Sequence, residues 1–143
     1  MDRVDKAVYL LTPEPVHRRE AQLEELTGPG AAARAIAHAF GRPLRHNAAV
    51  RWGRALHVAF GTGAGIAYPA LARRLPALRG GWGACYGAAL FPANDQVVPA
   101  LGLTPPSRRF PAATRVRGFI YHLGYGVALE TFARCLRLHE DRP

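Results

Sequence analysis

Three apolar stretches of this chain carry at most one charge over about fifteen residues and each follows an arginine, and they restrict the available folds more than any motif does. The first, ALHVAFGTGAGIAYPAL at 55–71, lies between Arg51 and Arg54 on one side and Arg73 and Arg74 on the other. At about 1.5 Å per residue it reaches roughly 25 Å, slightly short of a hydrocarbon core of about 30 Å. The second, GGWGACYGAALFPAN at 80–94, follows Arg79 and stays uncharged until Asp95, with Pro92 expected to kink or end a helix. The following residues, 96–107, are uncharged but broken by prolines, which predicts an interfacial or re-entrant segment covered by protein. The third, GFIYHLGYGVALETFA at 118–133, sits between Arg117 and Arg134 and holds Glu130 near its end.

These stretches predict an all-α protein: a small multi-pass membrane helical bundle of about three short spans, 47–143, preceded by a polar, amphipathic helical segment, 1–46. Within that segment, 17–26 is charged throughout, Thr27-Gly28-Pro29-Gly30 reads as a break, and 31–40 is an alanine-rich helix closed by Gly41 and Pro43. Ile36 and Phe40 give that helix a narrow apolar stripe suited to docking on the bundle or on a membrane surface. With 49% hydrophobic and 20% charged residues the chain is too apolar for a disordered one.

The net charge is +9, and every cation except Lys6 is an arginine. Arginines placed at the ends of apolar runs contact headgroups, so a lipid bilayer is the expected partner, with a second copy or another membrane protein beside it. Nucleic acid is not the expected partner, although a soluble basic nucleic-acid-binding helical protein is the second alternative, because apolar runs of this length also occur in buried core helices. Three crossings put eight arginines of 42–54 and 108–117 on one side and six on the other, which places the N-terminus in the cytoplasm. Cys85 and Cys135 form neither a CxxC pair nor a metal spacing. The first residues carry charges at 2, 3, 5 and 6 and too short an apolar run for a signal peptide.

A weak internal repeat links the stretches. His57-Val-Ala-Phe60-Gly61 is echoed by His122-Leu-Gly-Tyr125-Gly126, and the middle stretch has Tyr86-Gly87. Gly61 with Gly65, and Gly83 with Gly87, make GxxxG pairs that let helix backbones approach closely, and Gly126 joins them as a packing residue. His122, Gly126 and Glu130 share one helical face.

The sequence from His57 through Gly65 to Tyr68, then Tyr86-Gly87, the run from Asn94-Asp95 to LGLTPP ending at Pro106, and finally HLGYG with Glu130 resembles the YagU-like family of bacterial inner-membrane proteins of unknown function. The resemblance covers about residues 50–137, with LGLTPP its most specific element. It implies a multi-pass helical protein of the bacterial inner membrane and brings no catalytic residue, cofactor or ligand. Such proteins carry a further N-terminal membrane helix, and 1–46 shows no such span, which predicts either a shortened form or a start lost upstream.

Ionisable groups at membrane depth are costly, so His57, His122, Glu130 and Asp95 are the candidate interhelical polar or proton-handling residues. The histidines are expected to donate to carbonyls of neighbouring helices, and Asp95 to cap a helix. Two histidines on facing helices also suit axial haem ligation, but the spacing does not call for it and no cofactor or metal is expected. Trp52, Trp82 and Tyr68 fall near span ends, where interfacial anchoring is the default role. GxSxG, HExxH and Walker patterns are absent, and GTGAG at 61–65 lies inside an apolar helix, so the chain is not expected to be an enzyme. The favoured function is a structural or accessory membrane bundle. A small proton- or ion-linked transporter or channel using His57, His122 and Glu130 is its alternative.

Overall fold

The computed structural model describes residues 14–16, 18, 28–104 and 106–136, and every regular element among them is helical. The charged stretch 17–26 lies outside them apart from Arg18. Helix α1 is Gly28–Ala39, α2 is His46–Arg74, α3 is Ala84–Pro92 and α4 is Ala112–Cys135. Short 3₁₀ turns occupy Pro76–Arg79 and Ser107–Arg109.

Helix α1 starts at the glycine–proline pair, because a proline in the first turn forfeits only an N–H that has no partner there. It ends as the sequence indicates: Gly41 at φ +70° takes the left-handed position, its N–H donates to the His38 carbonyl and that of Arg42 donates to Ala37. This pair of bonds satisfies the last carbonyls of the helix.

Pro92 does not end α3. The helix passes into a π turn, Ala93–Val97, and a last α turn, Val98–Ala100, so helical backbone runs from 84 to 100. The wider i→i+5 turn lies between two residues that lack an N–H, Pro92 and Pro99, and absorbs the disruption that a proline causes in a regular helix. Gly102, at φ +70°, then closes the run, its N–H donating to the Pro99 carbonyl and that of Leu103 to Val98. The LGLTPP stretch is therefore first of all a helix stop built on a left-handed glycine.

The chain order gives an up–down–up arrangement. Gly61 meets Tyr125, Gly65 meets Leu129 and Tyr68 meets Glu130, so α2 and α4 run parallel. Gly83 faces Gly126 and Gly87 faces His122, so α3 runs antiparallel to α4. The repeated His-x-x-aromatic-Gly segments, 65 residues apart, thereby come side by side on two parallel helices joined at separations of 62 and 64 residues.

Contact is closest where glycines meet. A Cβ on Gly87 would lie 2.6 Å from the His122 carbonyl carbon, and one on Gly126 would lie 2.8 Å from Gly87 N. A second close crossing, between α1 and α2, has Gly53 against the backbone of Pro29 and Gly30. Gly61 is different: a Cβ there would meet nothing within 4 Å. The two GxxxG pairs look alike in sequence, yet only 83/87 sits in a backbone-to-backbone contact, while Gly65 faces the Tyr125 hydroxyl and the Leu129 side chain.

Among the described residues the buried apolar side chains are Ala33, Ala49, Tyr68, Ala72, Tyr86 and Ala133. Four are alanines and the other two carry hydroxyls, so little apolar area is withdrawn from the surroundings. Val58, Phe60, Ile66, Val116, Ile120 and Phe132 instead point outward, each more than half exposed. One described helix, α2, is by itself long and apolar enough to cross a membrane, with a mean hydropathy of 1.2 over its best window. The two other expected spans do not reach that mark by themselves: α3 is nine residues long before its π turn, and α4 carries Glu130 and arginines toward its ends.

Candidate functional site

A polar seam runs between α2, α3 and α4. At one end the Glu130 carboxylate, fully buried at 0% exposure, accepts hydrogen bonds from the Tyr68 hydroxyl at 2.6 Å, Arg134 Nε at 2.7 Å and Arg79 Nε at 3.3 Å. A carboxylate without water needs such donors, since an unpaired buried charge costs several kcal/mol. Arg134 is four residues beyond Glu130 on the same helix, a spacing that brings side chains together. Arg79 arrives from the 3₁₀ turn after α2.

The turn that delivers α3 to this cluster is Gly80-Gly81-Trp82-Gly83, with φ of +58°, +56° and +85° at its last three residues. Two of these are glycines, for which left-handed backbone is free of steric cost, but Trp82 is not. It is held there from both sides: its Nε1 donates to Thr131 Oγ1 at 3.0 Å and its ring lies 4.0 Å from the Arg134 guanidinium carbon. Arg134 thus connects Glu130 with the turn.

Along the seam, tyrosines of two helices reach the bare backbone of the third. Tyr86 of α3 donates to the Ala64 carbonyl at 2.8 Å and Tyr125 of α4 to the Gly61 carbonyl at 2.5 Å. The glycines of GTGAG leave no side chain over these carbonyls, so a hydroxyl can share an acceptor already used by the helix. Tyr68 and Tyr86 also pack ring on ring, 4.8 Å between centroids.

The histidines sit elsewhere. His122 Nδ1 lies 2.7 Å from the Gly118 carbonyl of its own helix, not from that of a neighbour, and the ring meets Phe91 edge-on at 5.6 Å. The neighbour that α3 gives the ring is Phe91, which offers no hydrogen-bond acceptor, so the nitrogen pairs with its own helix. His57 is exposed on α2. Both line a cavity of about 510 Å³ with Asp95, Phe60, Phe91 and Arg115. Asp95 does not cap a helix: it lies inside the π turn, and its Oδ2 accepts from Gln96 Nε2 at 2.9 Å. Of the expected site residues, Glu130 and Gly126 meet the seam and the two histidines and Asp95 meet at the cavity. Eight residues of helix, about 12 Å of rise, separate His122 from Glu130.

Tyr68 is 1% exposed and serves the carboxylate, so it is no interfacial anchor, whereas Trp52 is exposed. Sequence reasoning missed Tyr68, Tyr86, Tyr125, Arg79 and Arg134 as members of the seam. The available signals were the Glu130–Arg134 spacing and a tyrosine in each apolar stretch. No grouping of three metal-ligating side chains occurs among the described residues. No family model matches the chain, and neither does a curated protein or a solved structure.

Proposed function

We propose that this chain is an integral membrane protein of the bacterial inner membrane, a multi-pass bundle of the YagU-like kind with a structural or accessory role. The supporting observation is the inside-out distribution of side chains: the buried set is alanine, tyrosine hydroxyl and a triply bonded carboxylate, while Val58, Phe60, Ile66, Val116 and Phe132 face outward. Exposed apolar side chains on more than one helix call for surroundings of equal polarity, and a bilayer supplies them to all outward faces at once. Helices in lipid then associate through small residues and hydrogen bonds, because lipid tails are as apolar as leucine. Gly83, Gly87 and Gly126 serve the first requirement, and Tyr68, Tyr86 and Tyr125 the second. Helix α2 crosses alone, and the runs 84–100 and 112–135 cross beside it, where Glu130 is acceptable because its donors accompany it.

The seam favours locking over transport. Glu130 holds three donors at one end, whereas His122 lies about two helical turns away, with His57, at an open cavity. Alkaline carbonate extraction of membranes tests the placement: the protein remains in the pellet. Release into the supernatant overturns it, and salt-sensitive retention of the released protein on DNA then supports a nucleic-acid binder. Reconstitution tests the role: vesicles show no proton or ion flux above empty ones, and flux abolished by His122→Ala and Glu130→Gln would establish the transporter instead.

A further inference from the structure

A second cavity, of about 420 Å³, opens between α1 and α2 beside the Gly30–Gly53 crossing. Arg34, Arg54, His46 and His57 line it together with apolar residues such as Val50 and Val58, and no carboxylate does among the described residues. Among the described residues Arg34 Nε is the one buried side-chain nitrogen or oxygen in the structure without a hydrogen-bond partner. Arg34 as a whole is half-buried, but its Nε–H is withdrawn from the surface without a partner, and native structures satisfy nearly all such groups. When the Arg34 side chain turns toward the cavity it lines, Nε and its neighbouring N–H form the edge that grips a phosphate in two parallel bonds.

We infer that this cavity is a phosphate-binding site, with Arg34 as the gripping residue and Arg54 adding charge, and that its occupant is the headgroup phosphate of an anionic phospholipid. Three observations select that chemistry. The lining is cationic, with no compensating acid among the described residues, which favours an anion over a zwitterion or a cation. Arg54 is the last charge before the uncharged run 55–71, so the cavity lies at the level where apolar helix gives way to charge, the depth of lipid phosphates. Val50 and Val58 put apolar surface next to the charge, as an amphiphile requires and an inorganic ion does not. The site rests on the bilayer placement proposed above.

The experiment uses the full chain, delipidated in a nonionic detergent, and measures binding of phosphatidylglycerol and phosphatidylcholine with matched acyl chains by native mass spectrometry, with inorganic phosphate as competitor. Phosphatidylglycerol is retained in preference to phosphatidylcholine. Arg34→Ala weakens it about tenfold, and Arg34→Lys, which keeps charge but loses the fork, falls between. Arg73→Ala, at the far end of α2, changes nothing. Equal retention of the two lipids, or an Arg34→Ala protein that binds like the parent, overturns the site. Complete displacement by millimolar inorganic phosphate overturns the lipid as occupant. Carbonate extraction separates this failure from that of the bilayer placement: a protein kept in the pellet but without Arg34-dependent selectivity refutes the site alone.

Discussion

Substituting alanine at Gly87 and at Gly61 separates what the GxxxG pattern suggests from what the packing requires. At Gly87 the new Cβ would lie 2.6 Å from the His122 carbonyl carbon and 3.0 Å from Leu123 Cα, and closer still to the carbonyl oxygen. Unstrained carbon contacts need about 3.5–4 Å, so α3 and α4 must part by roughly 1 Å. That movement loosens the Gly83–Gly126 contact and the edge contact of Phe91 with His122. Overpacking of this kind costs about 3 kcal/mol, from which the better helix propensity of alanine recovers about 1. The net loss for Gly87→Ala is therefore about 2 kcal/mol. Gly61→Ala meets open space and retains the propensity gain, so it is neutral or up to about 1 kcal/mol more stable. Unfolding of the detergent-solubilised proteins by SDS, followed by circular dichroism, reads the difference as an ordering: Gly61→Ala at or above the parent, Gly87→Ala well below. An equal midpoint for the two variants, or a Gly87→Ala protein as stable as the parent, would refute the backbone-to-backbone crossing.

The remaining expectations concern the seam and the topology. Tyr68→Phe removes a hydroxyl bond to a charged acceptor and lowers stability by about 2 kcal/mol, while Glu130→Ala costs about 3 because Arg79 and Arg134, 37% and 43% exposed, can turn outward; in a double-mutant cycle the two losses are less than additive, and full additivity would mean the groups act independently. At the left-handed Trp82, both Ala and Gly lose the Thr131 bond and the Arg134 contact, but only Gly relieves the backbone, so Trp82→Gly unfolds later than Trp82→Ala by about 1 kcal/mol. The reverse order in the same SDS titration contradicts the turn geometry. Cys85 begins α3 and Cys135 ends α4, and both are exposed. In the proposed bilayer placement the antiparallel packing puts them at one face, so a membrane-impermeant maleimide labels both from the same side of the membrane; labelling from opposite sides excludes the up–down–up arrangement crossing as proposed.

Much of the secondary structure follows from local chemistry alone. Arginine-bracketed apolar runs set the helices, Gly41 stops the first, and the i, i+4 spacing couples Glu130 to Arg134, because each depends on residues within a turn or two of one another. The repeat also marks α2 and α4 as equivalent helices, which the fold sets side by side. Tertiary structure decided the rest. Pro92 was survivable only because a π turn was available, and Asp95 lost its capping role with it. Which glycine pair makes the close crossing depends on helix rotation about its axis, and identical GxxxG spacings carry no information about that rotation. The histidine expected to bond across helices meets the apolar Phe91 ring there and pairs with its own helix, and the hydroxyl of Tyr125, three residues on, makes the interhelical bond in its place. Contacts such as Tyr68–Glu130 join groups 62 residues apart; only the mutual orientation of whole helices brings them within 2.6 Å, and the side-chain pattern of each helix is silent on it.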